Sequence, residues 1–583
     1  MGSEPQLEYS VPRESEAVWR RGILANDLVR RHLPQDLDQL GGLVRFEGDA
    51  EPSIPVNWRW AESISALKAL EATMVNRLLV RKYGVEPVEV TINTDHASLF
   101  VMSPALARIV DSGGDGDGDG YGLDPDTLQR GPAPAAEEVY RLLATSIYKT
   151  GDGRCYHTHG DLDATATLAA LGLPASGTAA DTVESAAQRI QAKVAQWTAA
   201  ELDEAMNEQH GQAGTVAWSA DEYLASAHGQ ANSGAGLYEL QREGGQREGG
   251  QRAGWWAESG GVESSARRPL GGLKVLDLSR VIAGPTITRS LAELGASVMR
   301  VTSPHLPDHI SVHRDLNWGK WNASLHLRDS ADRDALRRLI QDADVVVDGY
   351  RPGALARLGF GRDDIFALVR DRERGIVHLR ENCYGWHGPW AHRSGWQGIS
   401  DACCGVSLEF GRAMGLPDEA VTPPFPNSDH CTGVIGCVAV LHALMERGEH
   451  GGSYGVDVAL NYYSHWLVRS CGAYPADVWN RLWSRYGKPA FRHYHNTRHT
   501  VPAVLHLLRR YRQDVLFRPA FFARYYSRAI DATVERVRPV ARFKDDAVEL
   551  AYNVGTRGNG TDLPEWPLDL AVEVVQRGEG GPA

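Results

Sequence analysis

Several signatures of other protein classes are missing from this 583-residue sequence. It has only seven cysteines, an odd number with Cys403 and Cys404 adjacent, and no C-x-x-C pair, which argues against a disulfide framework and a zinc site. Acidic residues outnumber basic ones by 74 to 61, so net charge does not favour nucleic acid or an anionic membrane as a partner. The polar N-terminal segment lacks the order of a signal peptide, and no apolar run approaches the roughly 20 residues that span a bilayer. A cytoplasmic location is therefore the expectation.

Two stretches have the composition of loops. Residues 228–269 are rich in Gly, Ser and Gln and contain a near-duplicated Q-R-E-G-G unit, so they bury too little apolar area to offset their ordering entropy. We predict a linker there, which fits a chain long enough for at least two domains. From Ser112 to Asp126, glycine and aspartate recur in a pattern that favours neither helix nor strand.

Beyond residue 269 the apolar pattern alternates between strand and helix. Strand patterns occupy 273–279, 297–301, 345–348 and 375–382, and helix patterns occupy 288–296 and 330–343. This order predicts a parallel sheet with right-handed crossovers. Ligands of such sheets bind at the carboxyl ends of the strands. We therefore expect the site to be lined by the loops after Ser279, Val301, Asp348 and Asn382.

Five segments of this region resemble, in order, the CaiB/BaiF class III CoA-transferases: LGGLKVLDLSRVIAGPTITRSLAELGASVMRV, VVVDGYRPGALARLGF, YGWHGPW, NSDHCTGVIGCVAVLHAL and GGSYGVDVALNYY. That family includes formyl-CoA transferase and α-methylacyl-CoA racemase. The resemblance implies an α/β protein with an open, mainly parallel, Rossmann-like sheet in a large domain, and a smaller α+β domain. It also implies transfer of coenzyme A between an acyl-CoA thioester and a carboxylic acid through an aspartyl intermediate, with no tightly bound cofactor.

The first half of the chain repeats part of the pattern. Residues 63–101 follow the outline of 433–468, with V-E-V-T-I-N in place of V-D-V-A-L-N after an apolar helix. We interpret the chain as a rearranged tandem with a truncated large-domain repeat at 1–110, a small domain at 111–227, the linker at 228–269, the CoA-binding large domain at 270–470 and a helical region at 471–583. In the family two chains interlock around each active site. The expected assembly is therefore a homodimer or an intramolecular pseudo-dimer.

The resemblance assigns the reacting residue. The family's catalytic aspartate lies just before a helix, and Asp429 of NSDHCTG occupies that position. At the start of an apolar helix, free backbone N–H groups hold a carboxylate ionised and stabilise an oxyanion. The alternative is that Asp429 only caps the predicted helix 431–445, a role that aspartate favours.

Two segments match the family's contacts to coenzyme A. Arg351, Pro352, Gly353 and Arg357 form its R-P-G-x-x-x-R element near the nucleotide end, and guanidinium groups suit phosphates through their planar set of donors. Arg280, Val281 and Ala283 lie in the first strand-to-helix turn, where backbone N–H groups approach the pantetheine or pyrophosphate. Arg357 is equally typical of a solvated helix residue.

Several positions depart from the family. Gln397 stands where the racemase branch has an acid and cannot act as a general base, which disfavours racemisation unless Asp401 has taken over that task. Ile282 replaces a glutamine of formyl-CoA transferase, and V-T-S at 301–303 replaces the usual V-E-R/K. Two alternatives to the transferase stay open: an α-methylacyl-CoA racemase, and a degenerate, non-catalytic CoA-binding subunit.

No metal is expected, although two segments have metal-binding features. The aspartates between Asp115 and Asp126 resemble an EF-hand loop without its flanking helices, and the same loop fits a mobile lid or a plain solvated loop. Cys155, His157 and His159 alternate along a strand, a spacing that often places side chains on one face by chance.

Overall fold

The large domain is built on a seven-stranded sheet in the computed structural model, which describes residues 8–110, 136–243, 251–256, 261–262 and 264–575. From edge to edge its strands are Lys320–Ser324, Ser297–Thr302, Lys274–Leu278, Val345–Asp348, Val377–Asn382, Tyr454–Ala459 and Glu239–Arg242. The first six are parallel and the last joins antiparallel. The predicted α/β class with an open, mainly parallel sheet is confirmed.

The strand order reverses in the middle of this sheet. Lys274–Leu278 is followed in the chain by its neighbours on one side, whereas Val345–Asp348 and the later parallel strands extend the other side. Ligands of open α/β sheets bind at the carboxyl ends of the strands where the order reverses. The loops that follow Leu278 and Asp348 therefore flank the expected binding position.

The longest helix of the large domain, Asn427–His450 (the central helix), is buried over most of its length. It packs against Ala283–Glu293 and against the equally long Trp60–Tyr83 of the first half (the first-half helix). By length and composition the central helix could cross a membrane, contrary to the expectation that no apolar run is long enough. Its burial is that of a core helix, so it is weak evidence for a membrane span.

Two glycines on one face of the central helix let its neighbour approach closely. A Cβ atom added to Gly433 would lie 2.4 Å from the Cβ of Thr286, and one added to Gly436 would lie 2.5 Å from the Cδ1 of Ile287. Both contacts are with the helix Ala283–Glu293. Gly433 and Gly436 therefore set the distance between the first strand-to-helix turn and the amino-terminal end of the central helix.

Three smaller sheets of three strands each surround the large one. The small domain contains the antiparallel strands Ser146–Lys149, Cys155–Thr158 and Gly214–Val216. The other two sheets join first-half strands to C-terminal ones: Val44–Glu47, Val90–Asn93 and Ala541–Phe543, and Arg108–Val110, Ala532–Val537 and Phe522–Ser527. The C-terminal segment thus completes sheets that begin in the first half.

The described α-helices are Val11–Ala17, Asp27–Arg30, Leu37–Gly41, Trp60–Tyr83, Thr94–Phe100, Ser103–Leu106, Ala136–Leu142, Thr165–Ala170, Val183–Val194, Ala199–Glu204, Ala220–Ala225, Ala227–Asn232, Ala283–Glu293, His313–Leu316, Ser330–Asp342, Arg362–Leu368, Gln397–Cys403, Val406–Ala413, Asn427–His450, Leu460–Trp466, Ala476–Arg485 and Thr497–Leu516. Wider π-helical turns occupy Val18–Leu24, Ala205–Gln209 and Leu467–Cys471. Tighter 3-10 turns occupy Ile310–Val312, Ala356–Leu358, Pro519–Phe521 and Lys544–Asp546.

Two segments differ from their predictions. The predicted linker 228–269 contains most of the helix Ala227–Asn232 and the strand Glu239–Arg242, which gains its hydrogen bonds by pairing with the edge strand Tyr454–Ala459. The predicted helical region 471–583 turns to β structure after residue 521, because its short polar strands find partners in the first half. The Gly/Asp-rich loop at 112–126 lies outside the described residues.

The two segments interpreted as an internal repeat have matching elements. The first-half helix and the central helix each have 24 residues. A strand and a seven-residue helix follow each one, Val90–Asn93 with Thr94–Phe100 in the first half and Tyr454–Ala459 with Leu460–Trp466 in the second. The two long helices pack against each other, so the repeats meet at the core of the protein.

A buried charge network joins three parts of the chain. Asp315 is fully buried and pairs with Arg289 of the large domain and, at 2.9 Å, with Arg536 of the C-terminal segment. Ser103 of the first half donates to the same carboxylate at 2.6 Å. The two arginines and the hydroxyl hold the pKa of Asp315 down, at about 2, although burial opposes this. Loss of one partner would leave a buried charge uncompensated.

Replacing Gly436 by alanine should destabilise the fold, because the added methyl group would overlap Ile287. We expect a loss of about 1–3 kcal/mol in the free energy of unfolding, the usual effect of overpacking, measured from the urea midpoint. Gly42→Ala is the control, since φ there is −70° and no atom lies within 4 Å of the added methyl group. Equal midpoints for the two variants would contradict the close approach.

Candidate active site

Buried charges fix the first strand-to-helix turn of the large domain. The carboxylate of Asp277 accepts hydrogen bonds from Thr288 Oγ1 at 2.6 Å, from Lys320 Nζ at 3.0 Å and from the hydroxyl of Ser279. Burial lowers the pKa of Lys320 to about 8, against the opposite effect of Asp277. One buried carboxylate thus ties the turn to the following helix and to a neighbouring strand.

The turn itself has an uncommon backbone conformation. Val281 has φ +68°, in the left-handed region that β-branched residues rarely adopt. Gly284 and Gly349 allow this geometry, because a Cβ atom added to either would lie within 2.8 Å of the Cβ of Ser279. Strained residues of this kind persist where their surroundings hold them and cluster at ligand sites. Arg280 and Val281 are half-buried at the carboxyl edge of the sheet.

Asp429 is the third residue of the central helix and is half-buried. The helix begins at Asn427 with Pro426 at its N-cap position, so the alternative that Asp429 is only the cap is wrong. Within the described part of the chain its carboxylate has no hydrogen bond or ion pair. Burial raises the pKa of Asp429 to about 7. The helix therefore leaves an unpaired, half-buried carboxylate at the carboxyl edge of the sheet, and the region around it is here called the carboxyl-edge cleft.

Three more carboxyl groups lie near this cleft. Burial is the main cause of their raised pKa values, which reach about 8 at Glu381, about 8 at Asp401 and about 7 at Asp348. The charge of Asp429 contributes to the rise at Glu381 and Asp401. Asp348 accepts from the backbone N–H of Tyr350 at 3.0 Å. We call Asp348, Glu381, Asp401 and Asp429 the carboxyl cluster.

Arginines lie around the outer part of the cleft. The Arg280 guanidinium lies over the ring of Tyr350, 5.3 Å from its centroid. Arg351 is exposed and pairs with Asp161 of the small domain. Arg357 is exposed in the 3-10 turn and makes no ion pair with a described residue. The site thus combines an acidic interior with a basic rim.

The small domain, from the first half, lies against a loop of the second half. Asp161 accepts from Arg351 and from the indole N–H of Trp396. Arg393 donates to Asp203 and to Glu208, each at 2.8 Å. Both halves of one chain therefore contribute to the surroundings of the carboxyl-edge cleft.

The departures from the family pattern have structural counterparts. Gln397 is buried and its amide donates to Asp401, so the position of the racemase acid holds a neutral group bonded to a carboxyl. His159 stacks on Trp396 with ring centroids 5.1 Å apart. No group of three or more His, Cys, Asp or Glu side chains able to hold a metal ion occurs among the described residues. The side chains of His157 and His159 therefore pack against the large domain.

The sequence predicted that Asp429 and the turn at 279–283 lie at the carboxyl edge of the sheet. It did not identify three acidic residues of the same region. Asp348 ends a strand of buried valines, Glu381 is the last but one residue of its strand, and Asp161 binds an arginine assigned to coenzyme A. An acid at the carboxyl end of a buried strand is a signal that could have identified the first two. The pairing of Asp161 could not be found without the fold, since 190 residues separate it from Arg351.

Among the described residues of the first half, the position that matches Asp429 holds an enclosed carboxyl. Glu62 is the third residue of the first-half helix, as Asp429 is of the central helix. Its side chain is fully buried and accepts from Tyr474 at 3.2 Å and from Tyr9. Burial raises the pKa of Glu62, against the effect of Arg59. The carboxyl at this pseudo-symmetric position is therefore satisfied and enclosed.

Cavities of about 310, 450 and 610 Å³ lie elsewhere in the molecule. Their walls are formed by the N-terminal segment, the 478–485 helix face and the C-terminal strands, and they include none of the predicted site residues. The carboxyl-edge cleft is therefore distinct from these cavities.

Comparison with known proteins identifies the family. The sequence model described as CoA-transferase family III matches residues 270–481. A protein named acetyl-coenzyme A transferase nodX, from Hypoxylon pulicicidum, is 54% identical over 98% of this chain and 96% of its own length. An acyl-CoA transferase from Gibberella moniliformis is 32% identical over 77% of this chain and 78% of its own. A crystal structure of hypothetical protein Rv3272 from Mycobacterium tuberculosis is 29% identical and covers 34% of this chain and 57% of that chain, with a TM-score of 0.31. The chain therefore belongs to CoA-transferase family III.

Proposed function

We propose that this enzyme moves coenzyme A from an acyl-CoA thioester to a carboxylic acid, with Asp429 as the nucleophile. Family membership and the likeness to a named acetyl-coenzyme A transferase support the reaction class. The unpaired, half-buried Asp429 carboxylate at the carboxyl-edge cleft carries the residue assignment. A buried carboxylate kept for stability alone is normally paired or hydrogen-bonded.

The chemistry follows from this position. A carboxylate oxygen of Asp429 attacks the thioester carbon, and coenzyme A leaves as the thiolate, which gives a mixed anhydride. The thiolate then attacks the aspartyl carbonyl, which releases the first acid and leaves an aspartyl-CoA thioester. The acceptor carboxylate attacks this carbonyl and expels the thiolate, giving a second mixed anhydride. The thiolate finally attacks the acceptor's carbonyl, which forms the new acyl-CoA and frees the Asp429 carboxylate. Backbone N–H groups in the first turn of the central helix have no intrahelical partner and can stabilise the oxyanions.

Coenzyme A would bind along the basic rim. The turn with Arg280, Val281 and Ala283 would receive the pantetheine or pyrophosphate, since the glycines beside it leave its backbone accessible. The turn of Arg351, Pro352 and Gly353, with Arg357, would receive the nucleotide end. Arg357 is the arginine best placed for a phosphate, because no described residue pairs with it.

The pairing of Arg351 with Asp161 has a consequence for binding. A phosphate near Arg351 would compete with Asp161, which also holds Trp396 in the loop over the cleft. Binding of coenzyme A would therefore loosen or shift the contact between the small and large domains. This supports an intramolecular pseudo-dimer in which both halves serve one site.

The position of the racemase acid holds no free base. Gln397 replaces the acid, and the neighbouring Asp401 is buried and accepts from the Gln397 amide. Exchange at the α-carbon needs an ionised base near the substrate. Transfer through Asp429 needs only the unpaired carboxylate, which favours the transferase.

Incubation with an acyl-CoA should leave one hydroxylamine-sensitive adduct per chain, on Asp429, because Glu62 is enclosed. Intact-protein and peptide mass spectrometry would measure it. Asp429→Asn should lose the adduct and at least about 10³-fold of the activity, as expected for loss of a nucleophile.

Glu62→Gln is the matched control for that variant, because it changes the same position of the other long helix. It should keep the adduct and the activity. An adduct on another residue in wild type, or one that survives in D429N, would overturn the assignment.

The rate should depend on pH through Asp429. Only the carboxylate attacks, so kcat/KM should rise as pH increases through about 7, the raised pKa of this group. Glu381 and Asp401 face Asp429 and titrate nearby, so the observed value belongs to the cluster. An aspartate with the ordinary pKa of about 4 would give a flat profile between pH 6 and 8. Rapid-quench rates of adduct formation across that range would distinguish the two.

Arg357→Gln should raise the KM for acyl-CoA roughly tenfold, the expected loss of one charge-assisted phosphate contact. The effect should disappear with a 3′-dephospho-acyl-CoA substrate if Arg357 binds the 3′-phosphate. Arg338→Gln, an exposed arginine on the helix Ser330–Asp342, is the control and should leave KM unchanged. Equal effects of R357Q and R338Q would place the nucleotide elsewhere.

A further inference from the structure

Glu381 lies one strand away from the point where the sheet's strand order reverses, which is between Lys274–Leu278 and Val345–Asp348. It is the last but one residue of Val377–Asn382, one position beyond the Arg380 that pairs in register with Asp348. Side chains alternate along a strand, so Glu381 and Arg380 point to opposite faces. Arg380 pairs with Asp457 at 2.9 Å on its own face. Arg380 therefore does not form an ion pair with Glu381.

The carboxyl of Glu381 is close to the first strand-to-helix turn. A Cβ atom added to Gly349 would lie 3.5 Å from Glu381 Oε2 and 2.8 Å from the Cβ of Ser279. Glycine at position 349 therefore leaves the space that the carboxyl uses beside the turn. This turn is the one assigned to coenzyme A, and Asp429 contributes its charge from the central helix.

Within the described residues Glu381 has no hydrogen bond and no ion pair. The titratable groups that face it are Asp429 from the central helix, Asp348 from the adjacent strand and Cys383 just beyond its own strand. All three are acidic or neutral groups. Burial, with the charges of Asp429 and Asp348, raises the pKa of Glu381 to about 8, so the neutral acid prevails at pH 7.

A neutral, unpaired carboxyl at this place has no evident structural use. An apolar side chain would fill the same volume without the loss of hydration. Glu381 and Asp429 lie close enough to interact through their charges and do not hydrogen bond to each other, so both carboxyls are available to one ligand. A thioester carbonyl suits this pair, because its carbon can be attacked by Asp429 while its oxygen accepts a hydrogen bond from Glu381.

We propose that Glu381, in its protonated form, is a catalytic residue that donates a hydrogen bond to the thioester carbonyl oxygen while Asp429 attacks the carbon. This inference rests on the proposed function. A carboxyl kept neutral in an apolar setting is an effective donor to a developing oxyanion.

The step is balanced with the proton retained on Glu381. An electron pair from the Asp429 carboxylate forms the new C–O bond, and the C=O π pair moves to oxygen, where the Glu381 O–H stabilises the negative charge. When the C=O bond re-forms, the C–S bond breaks and its electron pair leaves on the coenzyme A sulfur. The same hydrogen bond serves the later attacks on the aspartyl carbonyl if that oxygen occupies the same place.

Two variants test the role of Glu381 as a donor. Glu381→Ala removes the donor and should lower kcat about 10²–10³-fold, the usual effect of losing one oxyanion donor, with a smaller change in KM. Glu381→Gln keeps an N–H donor and should stay within about tenfold of wild type. Circular dichroism and the acyl-CoA dissociation constant would check that both variants fold and bind.

The pH profile gives a readout that a packing role would not change. Wild-type kcat should fall as pH rises through about 8, where Glu381 loses its proton. Glu381→Gln has no proton to lose and should lack this alkaline fall, while it keeps the rise that belongs to Asp429. A Gln variant as slow as the Ala variant, or one with an unchanged alkaline fall, would overturn the inference.

Failure of the two proposals can be told apart. If wild type forms no adduct on Asp429, the proposed function fails. If wild type and E381A form the Asp429 adduct at the same rate, the function stands and only the role of Glu381 is wrong.

Discussion

The close packing of the central helix against two neighbours is the constraint on which the site depends. At Gly433 and Gly436 the helix Ala283–Glu293 lies so close to the central helix that no methyl group would fit between them. The first-half helix also packs against the central helix. This fixes the end of the central helix, with Asp429, relative to the strained turn at Val281. A carboxylate and a turn from distant parts of the sequence are thereby held at the same edge of the sheet, where the strand order reverses.

At this edge of the sheet, the groups suited to binding phosphate are separate from the groups suited to the reaction. The basic rim of Arg280, Arg351 and Arg357 suits phosphates, which stay partly hydrated when bound. The carboxyl cluster lies deeper, where burial disfavours its charged forms and raises its pKa values. A group that is costly to ionise is also a reactive nucleophile once ionised. The protein retains this unfavourable arrangement because the central helix and the sheet are stabilised elsewhere, by the apolar core and the network around Asp315.

Much of the second half could be predicted from the sequence. The strand Val345–Asp348 was predicted with its observed bounds, because three consecutive valines followed by an acid are typical of a buried strand and its end. Asp429 was assigned from the family resemblance, which expected it just before the helix, and it lies in the helix's first turn. The strand Glu239–Arg242 was missed, since its polar pattern gains stability only from the edge it joins. Glu381 was missed because its importance lies in the absence of a partner, which sequence cannot reveal. The domain boundaries and the roles of the site residues stay predictions.

The contacts between the small domain and the cleft have a consequence for how the enzyme behaves in dilute solution. Asp161 with Arg351, and Asp203 with Arg393, join two halves of a single covalent chain. An interface between separate subunits weakens as protein concentration falls, whereas a tethered one keeps a constant effective concentration set by the connecting chain. The surroundings of the cleft can therefore stay assembled at any abundance of the protein.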